Sequence, residues 1–190
     1  MTYKNILIVA ATVFSSAVYG HGGVSVENDT CVMDISGMRA HFTGYQPDVR
    51  ATQEFCEDIP ELGKAIVVVD FIERTLRDMH VEFRVLEDVS GLGADAKFAD
   101  LGDDDDIENN TIVSVPFARY PRGTLTFEHE FSEPGWYIGM LTARDGEKIY
   151  RSVFPFRVGV HDYTGYFVGF ALVIGLSLLM YSVTTRKNFG

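Results

Sequence analysis

The sequence predicts an all-β chain: an antiparallel β-sandwich followed by one C-terminal membrane-spanning helix. Three observations carry that expectation. Short segments alternate apolar and polar residues with the period of a strand. Turn residues punctuate them at short spacing, and no long amphipathic helix intervenes. One long uncharged run stands near the C-terminus.

Residues 1–20 read as a secretory signal peptide. Lys4 supplies the positive start, residues 6–13 (ILIVAATV) the apolar stretch, and small residues the cleavage site. Val18 and Gly20 occupy the −3 and −1 positions, which would make His21 the mature N-terminus. Cleavage after Ala17 is the alternative. The domain predicted for export is 21–162.

Its first strand candidates are 23–26, 31–35 and 38–42. Residues 47–56 fit either a short helix or an irregular strand. Residues 64–72 (KAIVVVDFI) form an apolar, β-branched run expected of a strand covered on both sides. Residues 79–85 (MHVEFRV) alternate, with Met79, Val81, Phe83 and Val85 on one face and His80, Glu82 and Arg84 on the other. Residues 88–110 are the longest irregular stretch and read as an exposed contact loop. Asp103, Asp104, Asp105 and Asp106 repel one another there, so a solvated loop is favoured over a calcium site. Residues 111–117 are a strand that Pro116 assigns to an edge or an end. Residues 123–131 alternate again, placing Leu125, Phe127, His129 and Phe131 on one face. Residues 136–143 and 149–158 pair as a hairpin across Arg144-Asp145-Gly146-Glu147, an Asp-Gly type turn.

The last element differs in kind. Residues 166–183 (YFVGFALVIGLSLLMYSV) carry no charge and make a helix of about 27 Å, enough to span a bilayer with flanking residues. Tyr163, Tyr166 and Tyr181 suit the interfaces, and Arg186 and Lys187 belong inside by the positive-inside rule. The predicted organisation is a signal peptide (1–20), an exported sandwich (21–162), a transmembrane helix (163–185) and a short cytoplasmic tail (186–190). Gly165 and Gly169 are spaced as a helix-packing pair.

The formal charge is −11, from 27 acidic and 16 basic residues. A nucleic-acid partner would need the opposite sign, so that class is excluded. Every acid falls within 21–162, and only Lys4, Arg186 and Lys187 among the bases fall outside it. The exported part therefore carries about −14 by the ordinary ionisation of these side chains.

Residues 131–137 (FSEPGWY) resemble the F-x-x-P-G-x-Y corner that precedes a late strand in immunoglobulin-like and cupredoxin-like domains. Residues 123–158, with 66–86, resemble the last and middle strands of bacterial periplasmic sandwich modules of the YtkA or FixH type. That resemblance implies an immunoglobulin-like extracytoplasmic sandwich of a kind found near copper handling or respiratory-complex assembly. It implies no catalytic residues.

Cys31 and Cys56 are the only cysteines. In an oxidising compartment two cysteines most often pair, and a disulfide is the favoured reading. The alternative is metal: Cys31, Met33 and Met38 are soft ligands suited to copper(I). A mature N-terminal His21 would present an α-amine and an imidazole together, a chelating pair for copper. This start resembles that of CopC-type copper carriers and of copper monooxygenase subunits. The competing reading is an exposed terminus whose histidine has no role. Partner imidazoles would come from His41, His80 or His129, although His129 lies on an apolar face. His161 is most simply interfacial. Local zinc spacings are absent, as are a G-x-S-x-G motif, a phosphate-cradling loop and a paired-carboxylate signature. Two N-x-T sequons, at Asn28 and Asn109, matter only in a eukaryotic secretory route.

The sequence thus predicts a non-enzymatic, single-span protein of a bacterial cytoplasmic membrane, with its acidic domain in the periplasm. It would be an accessory or assembly subunit of a membrane protein complex, a copper-dependent membrane enzyme among the candidates. Its partners would be membrane subunits, met through the helix and the periplasmic face, and the lipid bilayer. The alternative is a periplasmic copper-binding or copper-delivery protein using His21.

Overall fold

A computed structural model describes residues 31–50, 52–161 and 163–187. The signal peptide, His21, the strand candidate at 23–26 and the sequon at Asn28 lie outside the described residues.

Among the described residues ten strands form two sheets, as the alternation predicts. The first sheet holds β1 (Val32–Ile35), β2 (Met38–Tyr45), β5 (Gly63–Phe71) and β8 (Thr124–Phe131) in the order β1-β2-β5-β8, with the short β3 (Glu54–Phe55) on β2. The second holds β4 (Asp58–Ile59), β10 (Lys148–Val158), β9 (Gly135–Asp145), β6 (His80–Glu87) and β7 (Thr111–Ala118) in the order β4-β10-β9-β6-β7. All pairings are antiparallel except β4 with β10. The strand bearing Pro116, β7, is an edge, where its missing N–H costs no ladder bond.

The inner faces of the two sheets make the main core. Phe42 of β2 meets Phe154 and Phe156 of β10, with ring centroids 4.8 Å and 5.1 Å apart. Phe131 of β8 meets Tyr137 of β9 edge-on at 4.9 Å. Inter-sheet aromatic contacts of this kind add to area burial and fix the sheets face to face. The Tyr137 hydroxyl donates to the Glu133 carbonyl at 2.7 Å, closing the corner that 131–137 foreshadow.

Four expectations change. Residues 64–72 were expected to be covered on both sides. Instead β5 alternates: Ala65, Val67 and Val69 are buried, whereas Ile66 and Val68 are only half-buried. Its outer side chains are β-branched without being core. The β9–β10 turn is a two-residue loop, Gly146-Glu147, in which only Gly146 has positive φ, at 58°. Glycine at the first loop position matches a type II′ turn rather than an Asp-Gly type I′ turn. The segment left open between a short helix and an irregular strand supplies a turn at 47–49 and the two-residue β3.

The fourth change bears most on function. Residues 88–110 are a folded cover, not an open loop. The cover contains two short 3₁₀ turns, at Gly93–Asp95 and Phe98–Asp100, and a helix at Asp104–Asn110. That helix is α2, after the single-turn α1 (Thr75–Asp78). Ala96, Leu101 and Ile107 of the cover pack on Leu86, Ile138 and Met140, which project from the outer face of the second sheet. A second, smaller core results.

The acidic run opens α2. Asp103 caps it by accepting from the backbone N–H groups of Asp105 and Asp106, each at 3.0 Å. Asp106 returns the favour at 3.2 Å to the Asp103 N–H, completing a capping box. The four carboxylates are exposed, as expected, and stand where a helix dipole favours negative charge.

The C-terminal helix, α3, runs Thr164–Lys187. Its stretch Thr164–Ser182 has a mean hydropathy of 1.8, is long and apolar enough to cross a membrane, and buries none of its length within the chain. Ser177 donates to the Val173 carbonyl and Ser182 to the Leu179 carbonyl, each at 2.8 Å. Both hydroxyls are thus satisfied inside the helix, as a lipid environment requires.

Candidate functional site

The disulfide is present. Cys31, just before β1, bonds Cys56, just after β3, with the Cα atoms 5.0 Å apart. Both sulfurs are committed, so the copper(I)–thiolate alternative does not hold in this oxidised form. Met33 is 2% exposed and faces the main core, and the half-buried Met38 packs against the same core.

The histidines divide among layers. His41 lies on β2, opposite in direction to the buried Ala40 and Phe42, with its Nδ1 3.0 Å from the Thr43 hydroxyl. His80 is exposed at the start of β6, across from Arg144 of β9. His129 is half-buried on the inner face of β8, its ring edge-on to Phe131 at 4.7 Å. Burial pushes its pKa below the ordinary histidine value, with Glu130 pulling weakly the other way. His161 stacks against Tyr163 at 5.9 Å. Among the described residues no three His, Cys, Asp or Glu side chains group closely enough to hold a metal. His21 lies outside the described residues.

Glu73 holds two elements together. Glu73 accepts from Arg39 three times: from the backbone N–H at 2.8 Å, from Nε at 3.0 Å and from Nη2 at 2.8 Å. Burial works to raise the Glu73 pKa, but the Arg39 hydrogen bonds outweigh it and hold the carboxyl below its usual value. The pair pins the start of β2 to the connection after β5.

The outer face of the second sheet holds what the sequence reading missed. Between the strands and α2 lies a groove of about 230 Å³. Arg84 of β6, Arg144 of β9 and Arg151 of β10 line it, with Glu82 on the floor and Asp104 and Glu108 on the helix wall. Glu82, on the face opposite Val81 and Phe83, is only 8% exposed. The available signal was strand alternation, which puts Glu82 with Arg84 on the outer side. Nothing local in sequence joins these residues to 144 and 151.

On α3, a methyl group added at Gly165 or Gly169 would meet nothing within 4 Å. The glycine pair is unoccupied by any part of the described chain.

No family model and no curated protein matches the chain. Among solved structures, the crystal structure of the PmoD soluble domain from Methylocystis sp. ATCC 49242 (Rockwell) is similar. The identity is 28%, the TM-score 0.59, and the match covers 68% of this chain and 98% of that one.

Proposed function

We propose that the chain is a membrane-anchored periplasmic accessory or assembly subunit of a membrane protein complex, with a copper-dependent membrane enzyme as host. One observation carries the reading. A sandwich similar to nearly the whole of the PmoD soluble domain is joined, in this chain, to an apolar helix that the other described residues leave uncovered. A helix apolar all round needs lipid or other helices around it. In lipid, small residues such as Gly165 and Gly169 let a neighbouring helix approach closely. The role is non-catalytic. The most buried ionic pair among the described residues, Arg84 with Glu82, is internally matched.

Isolation of the tagged full chain from its native membrane in mild detergent tests this. Recovery with stoichiometric membrane subunits is expected. Recovery of the chain alone, with cross-linking before solubilisation giving the same result, overturns it.

Copper delivery is the second reading, supported by the exposed imidazole of His80 and by the prospect of a mature N-terminal His21. Mass spectrometry of the mature terminus followed by copper titration decides it. The expected result is a terminus at His21 and copper binding that the His21→Ala variant weakens at least tenfold. Another terminus, or unchanged binding, removes this reading.

A further inference from the structure

We propose that the groove between the second sheet and α2 is a binding site for a small carboxylate, anchored by Arg84, Arg144 and Arg151. This inference is independent of the host complex. Three guanidinium groups from three neighbouring strands converge on one cavity in a domain whose overall charge is strongly negative. Adjacent guanidinium groups favour an anion between them, and of the three carboxylates in the same lining, Glu82, Asp104 and Glu108, only Glu82 is ion-paired to one of these arginines.

Internal partners do not supply enough of one. Arg84 donates through Nη2 to Glu82 at 2.9 Å, and its buried Nε makes no hydrogen bond. Arg144 and Arg151 form no ion pair among the described residues. Each instead lies over an aromatic ring, Arg144 at 4.5 Å from the centre of Phe117 and Arg151 at 5.1 Å from that of Phe98. Stacking of this kind fixes the plane of a guanidinium while leaving its N–H edge free to donate. A planar fork held in that way matches a carboxylate with two parallel hydrogen bonds.

The opposite wall sets the selectivity. Asp104 and Glu108 are one helical turn apart on α2, so both face the groove alongside the buried Ile107. These carboxylates repel a multiply charged anion and tolerate a singly charged one, or a carboxylate that also carries an ammonium group. Met140 and Phe117 give the cavity an apolar side suited to a short carbon chain. Phosphate and sulfate, compact and more highly charged, are disfavoured.

The test is calorimetric titration of the full chain in detergent with glutamate, butyrate and inorganic phosphate as probes. The Arg144→Gln/Arg151→Gln variant serves as the site control, because both side chains are exposed and their loss removes no core. The expected result is saturable binding of glutamate or butyrate in the range of about 1 mM or tighter, weakened at least tenfold in the variant. Three results overturn the proposal: no saturable binding of either carboxylate, binding that the variant leaves unchanged, or phosphate binding as tightly as the carboxylates.

Discussion

His129 is a histidine held against its own ionisation. Its strand alternation puts it on the inner face of β8, beside Phe131, and burial lowers its pKa. A group whose folded pKa is depressed binds fewer protons folded than unfolded. Stability therefore falls as pH drops from about the ordinary histidine value of 6.5 toward the lowered one. Melting of the full chain between pH 7.5 and pH 5 should show this loss, and the His129→Phe variant should show a flatter profile over the same range. Glu73 works in a lower window. Its stabilising contacts with Arg39 are complete above the ordinary glutamate pKa and are lost as pH falls through the lowered one. At this scale the sequence was informative about direction and silent about partners. Alternation told which way His41, His80 and His129 point. It could not tell that Thr43 or Phe131 would be their neighbours.

Strands follow a local rule and the cover does not. A strand with one face in the core repeats every second residue, which is why β6, β8 and the β9–β10 pair are readable in the sequence. The apolar residues through which 88–110 packs, Ala96, Phe98, Leu101 and Ile107, follow no single period because two 3₁₀ turns and a helix carry them. A local signal did exist: Asp103 followed three residues later by Asp106, just before Ile107, is a capping arrangement at a helix start. Mutual repulsion among four acids obscured it. The cover depends on Gly93, which has φ of 57° and stands where a Cβ would come 2.9 Å from Cε2 of Trp136. Gly93→Ala meets both a left-handed backbone cost of about 1–2 kcal/mol and that contact. Amides of 93–110 should then exchange with solvent at least tenfold faster, whereas β2 and β5 amides remain protected. Hydrogen exchange read by mass spectrometry resolves the two. Equal acceleration in both regions would mean that the cover is not a separate unit.

Over the whole molecule, one covalent bond and one helix set the context for everything else. The Cys31–Cys56 bridge closes a loop of sequence separation 25 and ties the β1 edge to the segment between β3 and β4. On the chain-entropy account its removal costs about 3–4 kcal/mol. The Cys31→Ser/Cys56→Ser variant should melt roughly 10 °C lower in a chain of this size. A shift under a few degrees would assign the bridge a role other than stability. The division of the chain into an acidic sandwich and a helix with a long uncharged run was legible because composition alone separates them. The arginine groove was not, because it joins residues some sixty positions apart through sheet register. The similarity to the PmoD soluble domain concerns a chain of which 98% is matched, and α3 is what would bring such a domain to a complex.

Photo-cross-linking from α3 in the native membrane tests that claim most directly. A photoreactive residue is placed in turn along the helix, at Gly165, Gly169 and Leu172 on one side and at Phe167 and Phe170 on the other. The account predicts a discrete adduct with a different membrane protein from the glycine side, recurring with helical period. Adducts with lipid alone from every position, or with a second copy of this chain alone, would contradict it.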